Sequence, residues 1–581
     1  MAQLMKTPKS SVIQVGDWRV DAVLDEISKD GKIVKLEPKT MRLLFCLADH
    51  AGQVVSIQQL LNEVWKNVVV TPDSVYHAVA ALRRVLGDDT KEPAYIANVL
   101  RRGYRLVAPV APWVDASALS CWSIAVLPFA DLSETKDQQY LADGMAEEII
   151  NSLSKLPEVQ VPARTSSFYF RGKATKLPDV ARELKVAHLL EGSLRKSGSH
   201  IRITAQLVRA KSGYNLWSET FDRELDDFIK VQQEIADAVV RALKLRFLEG
   251  TPPRSTATSS SEAYTLYLQA RSIALRAGQA DYETAIDYLQ RALKLDPKFA
   301  AAWADLANDR IDKFLWHTSR PYQDIRPDAR HAAENAVGFD PSLSDGHLAM
   351  AKILYWLDWN WDSAEVEFDR AIVLDAGNAD ALRHKSYLAL TLGRPDQALQ
   401  LAQAAVARDP LNSWNYYGTG LAHYNAGKLA HAEAAYRKAL ELNPTGAGVH
   451  TVLGFTLLAQ GEPTEALATM QQDTDELFRE TGRACALDAL GRNSEAEREI
   501  AIVERKYAAR AAVNIAVFFA RRKDFARALA WLDSAYGQHD PGLVDPKWNP
   551  SMENLETDLH FKAFRRKMKL PEYRRGVAPL S

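Results

Sequence analysis

The sequence predicts a multidomain chain in which a small α+β domain is followed by an α/β layer domain and an all-α repeat solenoid. Its 581 residues exceed what one hydrophobic core can organise. Alternating apolar residues open the chain and return in its middle, whereas the last half carries only helical periodicity. We place the three domains at residues 1–111, 120–249 and 262–581, with a Pro/Ser/Thr-rich linker at 250–261.

Composition restricts the class of protein. A content of 47% hydrophobic and 25% charged residues is ordinary for globular chains. The net charge of −2 excludes a protein that binds a polyanion with its whole surface, so any nucleic-acid contact must be local. Three widely separated cysteines, Cys46, Cys121 and Cys485, predict reduced, packed thiols and no metal site. Without a visible signal peptide or a membrane-length apolar run, we expect a soluble, cytoplasmic protein with no membrane contact.

The first hundred residues alternate between strand and helix signals. Alternation over 12–36 predicts a small antiparallel sheet with a tight turn at Asp30-Gly31. Pro38 opens a first helix, Ser56 can cap a second, and a third runs over 71–86 with Val75, Val79, Leu82 and Leu86 towards the core. Two short strands at 95–99 and 104–107 complete the domain.

Several motifs in this region are specific. They are Leu-x-Pro at 36–38, Gly-x-Val-Val-Ser at 52–56, Val64-Trp65, Leu86-Gly87-Asp88 and the hairpin Arg101-Arg102-Gly103-Tyr104-Arg105-Leu106. Together these residues resemble the winged helix-turn-helix DNA-binding domain of the OmpR/PhoB type. The resemblance implies that helix 71–86 enters the major groove of double-stranded DNA. It also implies that the hairpin, or wing, reaches the adjacent minor groove.

Candidate DNA-binding residues follow from this arrangement. The helix face opposite the core is small or polar, and arginines at the helix end can reach phosphates. Arginines at a hairpin tip suit a narrow, electronegative minor groove. The candidate set is Ser74, His77, Ala78, Ala81, Arg83, Arg84, Arg101 and Arg102. Residues 1–110 carry 15 basic and 12 acidic side chains, so one weakly basic domain should bind in pairs, and we expect a homo-oligomer.

The middle region has the order β-α-β-α-β-β-β-α, including a short strand at 159–161, which predicts an α/β layer domain. It resembles the TolB-N-terminal-like module found behind CadC-type winged helices and in some bacterial adenylate cyclases. The residues that carry this resemblance are 125–129, 141–145, 190–195 and 216–219. No catalytic constellation or phosphate-binding loop occurs, so we predict no enzyme activity and no cofactor. The segment Arg164-Thr165-Ser166 is the strongest polar candidate for a cleft.

The last half repeats every 34 residues. Gly393, Gly427 and Gly461 follow this step, as do Pro410 and Pro444. A 34-residue helix-turn-helix period predicts about eight tetratricopeptide-like helix pairs over 262–540, stacked around a concave surface. The second repeat carries an insertion of about ten residues near 314–326, and the segment after 540 should cap the last pair.

Aromatic residues concentrate around this insertion. They form a candidate pocket for a partner or ligand made of Trp316, Tyr322, Trp356 and Trp359. The alternative is that these side chains fill the space left by a longer repeat.

The domain layout resembles that of CadC/HilA-like transcription regulators. The resemblance implies a DNA-binding regulator whose repeat half receives a protein or small-molecule effector. An alternative is a nucleotide- or ligand-binding signalling scaffold whose winged helix contacts protein.

Overall fold

The computed structural model describes residues 12–22, 25–29, 32–65, 70–89, 93–99, 102–108, 110–112, 123–154, 156, 159–173, 175–225, 228–242, 258, 260–274, 279–317, 322–544 and 549–570. The predicted turn at Asp30-Gly31, Arg101 and most of the predicted linker lie outside these residues. The chain divides into two compact units, Met1–Leu119 and Ser120–Ser581.

The first unit is the predicted winged helix-turn-helix. Its elements are β1 (Val12–Val15), β2 (Trp18–Asp21), β3 (Glu26–Lys29), β4 (Lys32–Lys35), α1 (Pro38–Asp49), α2 (Ile57–Val64), α3 (Pro72–Leu86), β5 (Ile96–Val99), β6 (Gly103–Leu106) and β7 (Val110–Pro112). The sheet order is β4-β3-β2-β1-β7, and β5 pairs with β6 as a separate hairpin. Strand β7 was not predicted; Pro112 pairs with Ile13, so the domain's sheet extends past residue 111.

Local chemistry explains the helix boundaries of this unit. Proline stands at the first turn of both α1 and α3. The Ser56 hydroxyl accepts the Gln59 amide hydrogen at 3.1 Å and caps α2. Gly87, with a φ of 69°, ends α3 in the left-handed conformation that glycine adopts without strain. The buried faces of the three helices then share one apolar core.

The second unit begins with a mixed sheet. Its elements are β8 (Ile124–Val126), β9 (Ala130–Asp131), α4 (Gln139–Ser154), α5 (Arg164–Phe168), α6 (Leu177–Leu184), β10 (His188–Ser197), β11 (His200–Arg209), β12 (Asn215–Glu224) and α7 (Phe228–Ala242). The sheet order is β12-β11-β10-β8, with β8 parallel to β10. The strand predicted at 159–161 is only a single bridge between Gln160 and Ser123. Pro162 has no amide hydrogen to continue the ladder.

Eight helix pairs follow in the described residues, which agrees with the predicted number of repeats. They are α8 (Ser261–Ala274) with α9 (Gln279–Leu295), α10 (Ala300–His317) with α11 (Tyr322–Phe339), α12 (Ser344–Lys352) with α13 (Trp361–Leu374), α14 (Ala379–Thr391) with α15 (Pro395–Arg408), α16 (Ser413–Asn425) with α17 (Leu429–Leu442), α18 (Val449–Gln460) with α19 (Pro463–Met470), α20 (Glu476–Ala489) with α21 (Asn493–Tyr507), and α22 (Ala512–Arg521) with α23 (Phe525–Gln538). The insertion in the second repeat lengthens both of its helices to 18 residues. Within the described ranges, no helix is both long and apolar enough to cross a bilayer.

The sheet module and the repeats are locked together at two places within this unit. Near the fourth and fifth pairs, the Ser166 amide donates to Asp409 Oδ1 at 2.9 Å, and the Leu411 amide donates to Ser166 Oγ at 2.8 Å. Near the first pair, Arg271 forms an ion pair with Glu147 at 2.6 Å. Ser166, a residue of the predicted polar cleft segment, is therefore part of a docking contact.

The segment after residue 540 does more than cap the last pair. It contains the short helix α24 (Asn549–Met552) and helix α25 (Leu559–Lys567). His560 of α25 lies 3.1 Å from Asp533 of the last pair. The Val544 carbonyl, however, accepts hydrogen bonds from Tyr355 Oη at 2.8 Å and Thr391 Oγ1 at 2.9 Å, in the third and fourth repeats. The segment thus bridges distant repeats.

The candidate aromatic pocket falls near this bridge. Trp356 is buried in a π-helical turn over Ile353–Leu357. Trp359 stacks on His539 with a 3.8 Å ring separation. Both side chains are therefore engaged in packing, and a pocket for a partner or ligand stays a prediction. The side chains of Trp316 and Tyr322 lie outside the described residues.

Candidate nucleic-acid interface

Helix α3 presents a polar stripe to the outside of the first unit. Its core side consists of Val75, Ala78, Val79, Leu82 and Leu86. The exposed positions recur at three- and four-residue intervals, so they lie on one face. They are Asp73, Tyr76, His77, Ala80 and Arg84.

This stripe is rotated by about one residue from the predicted face. Ala78 was assigned to the DNA side, but it is buried against the core. Alanine occurs on both buried and exposed faces, so the sequence does not show on which side it lies. With Ala78 in the core, the exposed face of α3 is shifted by about one residue from the predicted face. Ser74 and Ala81 are only half-buried and flank the stripe. Tyr76, whose side chain keeps 45% exposure, was missed and faces outwards.

Arg83 corrects a second expectation. Its Nη2 donates to the Ile96 carbonyl at 2.6 Å, and its Nε lies 3.7 Å from an Asp88 carboxylate oxygen. Only 13% of the side chain remains exposed. The guanidinium therefore ties α3 to the wing hairpin and is not free to reach a phosphate.

Asp88 completes this attachment. Its carboxylate is fully buried and accepts the backbone amide hydrogens of Ala94, Tyr95 and Ile96 at 2.7–2.9 Å. These bonds hold the start of β5 against the end of α3. The Gly87-Asp88 motif thus sets the position of the wing relative to the helix.

The wing itself is held close to the body of the unit. Gly103 has a φ of 129°, and a Cβ there would overlap the Val55 carbonyl oxygen. Tyr104 exchanges backbone hydrogen bonds with Val55 at 2.8 and 3.0 Å. The ring of Tyr104 packs inwards, and burial raises the pKa of its phenol while the Arg83 charge partly offsets the rise.

Two wing arginines remain exposed among the described residues. Arg102 lies in the turn before β6, and Arg105 lies on β6 with its side chain outwards. Arg105 was not predicted, although strand alternation places it opposite the buried Tyr104 and Leu106. Together with Arg84, they supply extended cations of the kind that bind phosphates and narrow minor grooves.

Family comparisons agree with this geometry. Residues 31–106 match the family described as transcriptional regulatory protein, C terminal. Residues 119–238 match the second domain of HilA/YgeH-like transcriptional regulators. Tetratricopeptide repeat families match residues 276–299, 360–413, 414–445, 435–468 and 481–542. The first unit is thus the DNA-binding winged helix of transcription regulators.

Individual relatives extend over different parts of the chain. HilA of Salmonella paratyphi A is 23% identical over 67% of this chain and 71% of its own length. The activator CadC of Escherichia coli is 41% identical over 17% of this chain and 20% of its own length. The "Putative adenylate cyclase 3" of Rhizobium meliloti is 35% identical over 60% of this chain and 58% of its own length. This chain therefore has the domain layout of a CadC/HilA-like regulator, while it spans less than two thirds of two of these relatives.

Among solved structures, the DNA-binding domain of Escherichia coli CadC is 38% identical and is covered over 97% of its length. The match takes in 18% of this chain, with a TM-score of 0.17.

Proposed function

We propose that the whole chain is a sequence-specific, DNA-binding transcription regulator that acts in the cytoplasm without catalysing a reaction. Its winged helix reads double-stranded DNA, and its repeat half senses a protein or small-molecule effector. The observation that carries the proposal is the pairing of an exposed helix stripe with an exposed arginine wing in one rigid frame. Arg83 and Asp88 build that frame, so both elements can meet neighbouring grooves together.

The contacts divide into two kinds. Arg84 and Arg102 supply charge to the phosphate backbone, which fixes position without reading sequence. Tyr76 and His77 lie on the centre of the α3 stripe, where side chains meet base edges in the major groove. Arg101 lies outside the described residues, and its contact with DNA stays a prediction from the sequence.

The route of the signal follows from the second unit. Its sheet module is bonded to the first repeat and to the connection between the fourth and fifth repeats, so a change in repeat curvature must strain the Ser166–Asp409 or the Glu147–Arg271 contact. We propose that this strain alters self-association. Because two weakly basic winged helices bind DNA better when joined, self-association would control occupancy.

The test is a selection of genomic DNA fragments by the full-length protein, followed by binding isotherms on the selected fragments. We expect recovery of a common sequence, with affinity at least a hundredfold above that for unrelated DNA of the same length. Equal affinity for selected and unrelated DNA would contradict sequence-specific regulation. It would favour the scaffold alternative, in which the winged helix contacts protein.

A further inference from the structure

Three side chains of the types that bind metal ions converge between α1 and α2. None of them is part of the candidate DNA-binding surface. They are Cys46 on α1, His50 at the end of α1 and Glu63 on α2. One ligand atom from each lies within 4.8 Å of the other two. The Cys46 thiol donates to Glu63 Oε2 at 3.2 Å. The three widely separated cysteines predicted no metal site, but Cys46 and His50 are one helical turn apart, and Glu63 joins them only through the fold.

The orientation of His50 is the second observation. Its Nδ1 lies 2.9 Å from the Cys46 backbone carbonyl, which can only accept, so Nδ1 carries the hydrogen. Its Nε2 then presents a lone pair and lies 3.3 Å from the Gln59 side-chain amide. Metal-binding histidines typically bond the other ring nitrogen to a carbonyl or carboxylate in this way, which fixes the tautomer and the ring.

We propose that Cys46, His50 and Glu63 form a binding site for a borderline-soft divalent cation, of which Zn²⁺ is the best match. A thiolate, an imidazole and a carboxylate are the three ligand types that zinc uses. Harder cations such as Mg²⁺ prefer oxygen ligands alone and do not suit a thiolate. Three protein ligands leave a fourth tetrahedral position for water. The Gln59 Nε2 amide, which now donates to His50 Nε2 at 3.3 Å and to Glu63 Oε1 at 2.9 Å, would give up the His50 lone pair to the ion.

The site is accessible on one side. Cys46 is buried, His50 is half-buried and Glu63 is exposed, so an ion can enter past the carboxylate. The thiol proton, now donated to Glu63, leaves to solvent as the thiolate–metal bond forms. Binding therefore releases one proton and strengthens as pH rises. Because the ligands come together only in the folded unit, the metal would stabilise the first unit and hold α1 against α2.

The experiment titrates the full-length, metal-free protein with Co²⁺, a spectroscopic substitute for Zn²⁺. We expect a thiolate-to-cobalt charge-transfer band that saturates at one ion per chain and disappears when Zn²⁺ is added. Cys46→Ser should abolish the band, and His50→Gln or Glu63→Gln should weaken Co²⁺ binding at least tenfold. Cys485→Ser and Cys121→Ser are the matched controls and should leave it unchanged.

Two results would overturn the proposal. One is the lack of a charge-transfer band at millimolar Co²⁺; the other is a band that survives Cys46→Ser or is lost in a control. Glu63→Gln keeps the test valid if Cys46→Ser unfolds, because an exposed, isosteric change should leave the fold intact. Wild-type binding with no effect of Glu63→Gln on affinity would also remove Glu63 from the site.

Discussion

At the scale of single residues, neighbours in sequence have unlike roles because a helix turns by about 100° per residue. Arg83 donates a hydrogen bond to the Ile96 carbonyl and forms an ion pair with Asp88, whereas Arg84 is exposed on the α3 stripe. A run of two arginines signals a basic helix end but not which of the two is free. The partner groups settle the difference: Asp88 follows directly after α3, and Ile96 lies on the next strand.

Removing the exposed cations should weaken DNA binding through charge. In Arg84→Ala and Arg102→Ala, each lost phosphate contact should reduce the slope of log affinity against log salt by about one. Fluorescence anisotropy on a selected fragment over a salt series measures this slope. If a folded double variant kept both the affinity and the slope of the wild type, neither arginine would contact phosphate.

Arg83→Ala should lower the stability of the first unit. The Ile96 carbonyl and the buried Asp88 carboxylate would each lose a partner, at a cost of about 1–3 kcal/mol in free energy of unfolding. Urea unfolding followed by circular dichroism measures this cost, with Arg84→Ala as the matched control that should change stability by less than about 0.5 kcal/mol. Equal stability of the two variants would mean that Arg83 is not part of the frame.

At the scale of elements, structures with local signals could be predicted and those fixed by distant contacts could not. The bounds of α1 to α3 are marked by local signals, namely proline or serine at the helix starts and glycine after α3. The 34-residue repeat is marked by glycines at a constant spacing. Strand β7 forms because it pairs with the edge of β1. Helix α5 forms where the Ser166 amide donates to the Asp409 carboxylate, far away in the sequence. The predicted outer face of α3 differs from the exposed stripe at Ala78, whose burial depends on which side chains pack against it.

The wing hairpin should depend on a glycine at one position. In Gly103→Ala, the added Cβ meets the Val55 carbonyl oxygen on a backbone whose φ of 129° already disfavours side chains. We expect both lower stability and weaker DNA binding, because the hairpin must move away from the body of the unit. Gly52→Ala is the matched control, since its φ is also positive at 77° but the Cβ would meet open space. A smaller loss of stability in Gly103→Ala than in Gly52→Ala would contradict the close approach of Gly103 to the Val55 carbonyl.

At the scale of the whole molecule, the second unit brings partly buried carboxylates together where its first repeats meet. Burial and repulsion from Asp305 raise the pKa of Asp345 to about 7, and Arg271 offsets part of the rise; Asp375 and Asp380 add to it. A carboxyl whose pKa is raised by folding stabilises the fold fully below its ordinary pKa near 3.9. That contribution is lost as pH rises towards 7. The free energy of unfolding of the second unit should therefore fall as pH rises and Asp345 ionises.

Asp345→Asn should remove this loss of stability at high pH. The asparagine oxygen can still accept the hydrogen that Asn378 donates at 3.1 Å, so the structure should persist. We expect the variant to match the wild type near pH 4 and to exceed it by roughly 1–3 kcal/mol in free energy of unfolding near pH 8. Urea unfolding at both pH values measures this, with the exposed Asp287→Asn as control. A variant less stable than the wild type at pH 8 would show that the charged carboxylate is favourable there.

The division into two units also predicts how DNA binding depends on chain length. The first unit has its own core, so a fragment of it should fold and bind DNA alone. The fragment should end at Leu119, where the first unit ends, because a cut at 111 would remove Pro112 of β7, which pairs with Ile13. With a net charge of only +3 over residues 1–110, the fragment should bind measurably, without cooperativity, and more weakly than the full chain.

The full chain should gain its affinity by self-association through the second unit, which raises the local concentration of winged helices on adjacent half-sites. Equilibrium sedimentation gives the mass of each species on and off DNA, and binding isotherms give affinity and cooperativity for both lengths. Mixing an excess of the separate second unit, residues 120–581, with the full chain is the informative control. If coupling runs through that unit, mixed oligomers with one winged helix should form, and the affinity should fall towards that of the fragment. A full chain that stays monomeric on DNA, with the affinity of the fragment, would leave the second unit no part in binding.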